Sequence, residues 1–130
     1  MNVHKPKILL INREPWWSSF FEEVLSKRGY QVEVEHDEAK GLTRLDRDGY
    51  DIVVLDFTAG EEELGVLKSI MQKHPHEQVI VVSATPSWQE ARAAYRLGAI
   101  DYLNKSFDKA KLIEVVETVL KKEAASVASG

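Results

Sequence analysis

Asp56, Ser83 and Lys105 are the residues of this chain best placed to do chemistry. Asp56 closes the apolar run Ile52-Val53-Val54-Leu55, Ser83 follows the run 79–82, and Lys105 comes two residues after the run 99–103. A fourth run, Lys7–Ile11, delivers Asn12, Arg13 and Glu14. Phe57, Thr58, Ala84, Thr85 and Asn104 fill the remaining positions just past these runs. Each residue alone has an ordinary explanation: a strand-end Asp or Ser is usually a turn residue, and a single Lys is usually solvated. Their shared placement is what points to function. If the runs are neighbouring parallel strands, one rim collects a carboxylate to react, a hydroxyl to hydrogen-bond, and two cations to neutralise negative charge.

The elements that must position them follow from hydrophobic periodicity. Five short strands are predicted, at 7–11, 31–34, 51–56, 79–82 and 99–103. Their continuous apolar character fits strands buried on both faces. Helical spacing fills the intervals. Pro15 suits a first turn, and Phe20, Phe21, Val24 and Leu25 form an apolar stripe ending near Lys27, Arg28 and Gly29. Asp37 can cap a second helix carrying Ala39, Leu42 and Leu45. Glu61, Glu62 and Glu63 crowd the start of a third, with Leu64, Leu67, Ile70 and Met71 inward. Ser87-Trp88-Gln89-Glu90 is a capping box for a fourth helix, which Gly98 follows. Asp108 can cap a fifth, with Leu112, Val115, Val116, Val119 and Leu120 facing in. Alternating strands and helices imply a doubly wound α/β parallel sheet with helices on both faces.

Composition narrows the function classes. The chain has 130 residues, enough for one compact domain. A 44% apolar and 29% charged make-up is that of a globular protein, and no apolar run approaches a membrane span. The net charge of −4 with scattered basic residues argues against a nucleic-acid surface. Absence of cysteine excludes disulfides, zinc–thiolate sites and thiol catalysis. The amino terminus carries no signal-peptide pattern, so a cytoplasmic location is expected. Residues 12–17 hold no glycine, so no Gly-rich phosphate loop follows the first strand. His4, His36, His74 and His76 lie away from any candidate nucleophile, so an enzyme is not expected.

Taken in order, Lys7-Ile8-Leu9-Leu10-Ile11, Glu14-Pro15, Arg28-Gly29-Tyr30, Tyr50 through Asp56, 79–84, and Leu97 through Lys105 form a signature. Over residues 5–122 the chain resembles the receiver domain of two-component response regulators, with 123–130 expected as a frayed tail. The resemblance implies the flavodoxin-like strand order 2-1-3-4-5 with five helices. It implies that Asp56 is the phosphoacceptor position, fed from a kinase phosphohistidine. It also implies that Ser83, beside small Ala84, binds phosphoryl oxygens, that Lys105 neutralises the phosphoryl charge, and that Tyr102 is the aromatic switch. Family members commonly signal through the face of helix four, strand five and helix five. In this chain that face includes Trp88, Arg92, Tyr95, Arg96, Tyr102 and Lys109, a possible output-domain or protein contact.

The departure lies after strand one. The family places two carboxylates there to hold Mg²⁺; this chain has Asn12 and Arg13. A guanidinium has no lone pair for a metal, and Mg²⁺ wants hard, usually anionic oxygens. Asn12 retains a neutral oxygen, and Glu14 is the nearest substitute carboxylate. Arg13 is also a candidate ion-pair partner for Asp56. Two further departures are Ser106, where Pro normally follows the Lys, and a loop at Phe57-Thr58-Ala59-Gly60 that looks one residue short. The expectation is a degenerate receiver without a resident cofactor, poor in Mg²⁺ binding and in phosphorylation of Asp56. It would act by contact with a histidine kinase or other signalling protein. The alternative is a working receiver that binds Mg²⁺ and accepts a phosphoryl group on Asp56.

Overall fold

A computed structural model of the chain describes residues 5–57, 62–105 and 108–129, with side chains for 5–57, 64–105 and 108–122. The order is β1 (Lys7–Ile11), α1 (Pro15–Ser26), β2 (Gln31–Glu35), α2 (Glu38–Arg47), β3 (Ile52–Phe57), α3 (Glu62–Lys73), β4 (Val79–Ser83), α4 (Trp88–Leu97), β5 (Asp101–Asn104) and α5 (Lys109–Ser129). All strand pairs are parallel, and the sheet order is β2-β1-β3-β4-β5. The alternation of strand and helix and the expected strand order are therefore both present.

Every residue of β3 and β4 is buried, because helices cover both faces of the sheet. Successive side chains on a strand point to opposite faces, which divides the core in two. Ile8, Leu10, Ile52, Val54, Ile80 and Val82 pack under Trp17, Phe21, Val24 and Leu25 of α1 and Leu112, Val115, Val116 and Val119 of α5. Leu9, Ile11, Val53, Leu55, Phe57, Val79 and Val81 pack against Leu45 of α2, Val66, Leu67 and Ile70 of α3, and Ala94 of α4. Gly41 lets α2 lie close on β1: a Cβ there would sit 2.7 Å from Ile11 Cδ1.

Several ends differ from expectation. The last strand starts at Asp101, not Ala99, because Gly98 and Ala99 close the end of α4, and Ile100 leads in with its N–H on the Val79 carbonyl. Gly98 adopts φ 114°, and the Ala99 N–H returns to the Ala94 carbonyl, closing the helix in the left-handed manner that glycine favours. Helix α1 stops at Ser26, and 27–29 form a turn. Helix α5 continues to Ser129, so the backbone is helical through most of the segment expected to fray. Asp37 and Ser87 cap as expected, accepting from the Lys40 and Glu90 N–H groups. Glu61 lies outside the described residues. Among the described residues, no helix is long and apolar enough to cross a membrane.

Candidate functional site

The register brings the predicted residues to one edge. Ile11 pairs with Leu55, Phe57 with Ser83, and Ser83 with Asn104, so the carboxyl ends of β1, β3, β4 and β5 lie side by side. Five polar or charged side chains are buried among the described residues: Asn12, Ser18, Asp56, Ser83 and Lys105. Four of them stand on this rim. Buried polar groups need partners, so the rim must form a network.

Lys105 is its centre. The ammonium donates to Asp56 Oδ2 at 2.7 Å and to Glu14 Oε1 at 2.8 Å. The rings of Trp17 and Trp16 lie 5.1 and 5.9 Å from Nζ. Trp16 also donates its indole N–H to Glu14 Oε2 at 2.9 Å. Burial alone would lower the Lys105 pKa, but the hydrogen bonds to Asp56 and Glu14 outweigh it and raise it. In turn Lys105 holds the Glu14 carboxyl below its ordinary range, against a smaller opposing effect of burial. The cation is thus shared between two carboxylates under an aromatic cover.

Asn12 completes the arrangement. Its Nδ2 donates to Asp56 Oδ2, while its Oδ1 accepts from the Glu14 backbone N–H at 2.7 Å. The two partners fix which way the amide points, since the carboxylate needs a donor and the N–H an acceptor. The Asn12 oxygen expected to be available to a cation thus already accepts one backbone hydrogen bond, with its second lone pair still to place. The possible Arg13–Asp56 pair is not made. Arg13 turns outward to Glu38 at 3.0 Å, in the first turn of α2, and Lys105 supplies the Asp56 ion pair instead. The physical reason is topological: β2 neighbours β1, so α2 begins beside the residue that follows Asn12. Only one of the two expected cations converges, and a second carboxylate, Glu14, takes the other's place.

Ser83 is fully buried, and its Oγ accepts from the Thr85 N–H at 3.2 Å. Ala84 and Asn104 join Glu14, Trp16 and Lys105 around a cavity of about 200 Å³ at the rim. Tyr102 lies half-buried against the α3–α4 layer. Its hydroxyl accepts from the Ser87 N–H at 3.3 Å and donates to Glu90 Oε1. Burial and the Glu90 carboxylate raise the Tyr102 pKa, and the Ser83 hydroxyl beside it acts in the opposite direction. On the outer side of α4, Trp88 is 68% exposed and Tyr95 48% exposed, so neither simply packs over the helix. A groove there is lined by Trp88, Gln89, Arg92, Ala93, Arg96 and Leu97. Lys109 lies apart from it, lining a groove between α1 and α5. Thr58, Ala59, Gly60 and Ser106, where the sequence also departs from the receiver pattern, lie outside the described residues.

Comparison with known proteins decides the family. Residues 8–117 match the response regulator receiver domain family. The chain belongs to that family. Receivers are domains of two-component signalling, and the relatives agree. The transcriptional regulatory protein CpxR of Escherichia coli K12 is 32% identical over 117 residues, which cover 89% of this chain and 50% of that protein. TrcR of Mycobacterium tuberculosis is 24% identical over 91% of this chain and 46% of its own length. The chain spans about half the length of such curated relatives. Among solved structures, a CheY-like receiver from Methanospirillum hungatei superposes with a TM-score of 0.88 at 18% identity, covering 95% of this chain and 99% of that one. HP1043, an orphan response regulator of H. pylori, gives a TM-score of 0.78 at 25% identity, covering 88% and 96%.

Sequence reasoning located this receiver's rim but missed three partnerships. Glu14 was visible only as a substitute metal ligand, Glu38 was not singled out, and Glu90 was read only as half of a capping box. The strand order held a signal for Glu38, because β2 beside β1 places the start of α2 next to Arg13. Nothing local in the sequence ties Glu90 to Tyr102, twelve residues away.

Proposed function

We propose that this chain is a degenerate receiver: a two-component signalling domain whose acceptor pocket is neutralised from within, with weak Mg²⁺ binding and little or no phosphorylation of Asp56. The observation that carries this reading is the Lys105 ammonium held between Asp56 and Glu14, with Asn12 donating to the same Asp56 oxygen. The donor set fits Mg²⁺ poorly. The ion wants several oxygens in octahedral array. Here Asn12 aims an N–H at Asp56 and already uses its oxygen once, on the Glu14 N–H, while Arg13, in place of an acid, supplies no oxygen and turns out to Glu38.

Phosphoryl transfer consists mainly of positioning and charge neutralisation. With the cation already engaged by two carboxylates, an incoming phosphoryl group must displace Glu14 from Lys105 before it gains that charge. The output is then contact with a histidine kinase or another signalling protein, through the face that carries Trp88, Arg92, Tyr95, Arg96 and Tyr102. Exposed aromatics beside arginines suit such a surface.

A second reading, a receiver phosphorylated on Asp56 with Mg²⁺, is favoured by one observation: Asp56, Ser83 and Lys105 all reach the same rim. Acetyl phosphate with and without Mg²⁺, followed by intact mass measurement, separates the two. The degenerate reading expects no mass gain. A single phosphoryl gain that requires Mg²⁺ and vanishes in Asp56→Asn would overturn it.

A further inference from the structure

The capping box at the start of α4 is not closed in the usual way. In that motif the acidic residue at the third helical position reaches back to the N-cap N–H. Ser87 does accept from the Glu90 N–H at 3.1 Å, but Glu90 does not return the bond. The Tyr102 hydroxyl stands between them, accepting from the Ser87 N–H and donating to the Glu90 carboxylate. A phenol offers one donor and can accept at its oxygen, so both functions are in use. The aromatic of β5 has thus become part of the N-terminal cap of α4.

Tyr102 also lies near the rim, because it pairs with Val81 on β4, two residues before Ser83. Ser83 is fully buried beside it, and the Ser83 carbonyl accepts from the Lys105 N–H at 2.8 Å. The start of α4 and the rim strands β4 and β5 thus meet around Tyr102, whose hydroxyl joins Ser87 and Glu90. Charge adds to geometry, because Glu90 lies in the first turn of α4, where the helix dipole favours a carboxylate. Glu90 is therefore held in place by the helix as well as by the phenol.

We propose that Glu90 is a positioning residue that holds Tyr102 against the α3–α4 layer and so sets the position of the switch aromatic in the unmodified chain. This deepens the degenerate reading above and rests on it in one respect: a receiver idle at Asp56 needs its switch fixed by standing contacts. The hydrogen bond to Glu90 is such a contact. It needs neither metal nor phosphoryl group, and it joins two elements of the output face.

The test is the side-chain rotamer of residue 102, measured by NMR scalar couplings and ring contacts on the full chain, without phosphodonor or Mg²⁺. Glu90→Ala should lower the ratio of Tyr102 rotamers with the ring against the α3–α4 layer to those turned away from it by about tenfold or more, the worth of one hydrogen bond to a charged group. Glu90→Gln keeps an acceptor but loses the charge, and should shift the ratio clearly less than Glu90→Ala does. In a Tyr102→Phe background the ring has no hydroxyl to lose, and Glu90→Ala should leave the Phe rotamer unchanged. An unchanged Tyr102 ratio in Glu90→Ala would sink the proposal. So would an equal shift of the Phe ring, which would mean that Glu90 merely supports α4. Because no phosphodonor is present, these results are independent of whether Asp56 can be phosphorylated, and failure of either reading is seen separately.

Discussion

At the scale of single residues, Asn12 is the most informative side chain of the pocket. It offers Asp56 a neutral donor where the receiver pattern has a carboxylate, and the change removes a like charge from beside Asp56. Asn12→Asp would set a second carboxylate against buried Asp56, and like charges at that distance oppose ionisation. Without metal this variant should lose about 2 kcal/mol of stability in urea unfolding, the cost of exchanging a buried donor for repulsion. Mg²⁺ should restore much of that loss and bind at least about tenfold tighter than to the parent, because the replaced group is a direct ligand candidate. Fluorescence of Trp16 and Trp17, which lie over Lys105, would report the titration. If Asn12→Asp binds Mg²⁺ no better than the parent, the proposed link between the missing acid and weak Mg²⁺ binding is wrong. Arg13→Asp should do less, since Arg13 is engaged with Glu38 outside the pocket.

At the scale of elements, the rim exists because helices of both layers lie close to the sheet. The contact of α2 with β1 is the tightest test. A Cβ on Gly41 would approach Ile11 Cδ1 to 2.7 Å and Cγ1 to 2.9 Å. Gly41→Ala should cost about 1–3 kcal/mol, the usual range for overpacking, despite the better helix propensity of alanine. Urea denaturation measures it, and a neutral or stabilising result would mean that Ile11 yields easily. The same displacement should disturb the Arg13–Glu38 pair, because Glu38 starts the helix that Gly41 seats. The start of α4 behaves differently: its cap is shared with β5 through Tyr102, so helix and strand are expected to move together.

At the scale of the whole molecule, acid stability should carry the signature of the pocket. The Glu14 carboxyl titrates below its ordinary 4.5 in the fold because Lys105 hydrogen-bonds to it. A depressed folded pKa contributes stability that is fully present above the unfolded value and is lost as pH falls through the folded one. The parent should therefore hold its stability from neutrality down to about pH 5 and lose it progressively below. Glu33, where burial is the largest single effect and pushes up but Tyr50, Lys7 and Arg44 together outweigh it and hold the carboxyl down, adds to the same acid limb. Glu14→Gln should be less stable than the parent at pH 7, with the difference shrinking as pH falls below about 4.5. A series of urea midpoints between pH 7 and pH 3 would show it. A difference that stays constant across that series would mean that the Glu14–Lys105 pair contributes nothing through charge.

Much of this was legible in the sequence, for a physical reason. Short, β-branched apolar runs such as Ile52-Val53-Val54-Leu55 fit strands of a sheet covered on both faces, and the intervening 3.6-residue stripes supply the covering helices. Local chemistry also determined the Asp37 and Ser87 caps, whose partners lie three residues away. Strand ends were less certain, as at Ala99, because a residue shared between a helix cap and the next strand looks apolar in either state. The partnerships across the rim were decided only by tertiary structure. Lys105 meets Glu14 across ninety-one residues, and Asn12 meets Asp56 across forty-four. Whether Arg13 faced Asp56 or Glu38 depended on where α2 begins beside β1. Side-chain direction past a strand end is set by neighbouring elements, and no local pattern encodes it. The sequence therefore determined which residues reach the rim, and the packing of the sheet and helices decided which charges they meet there.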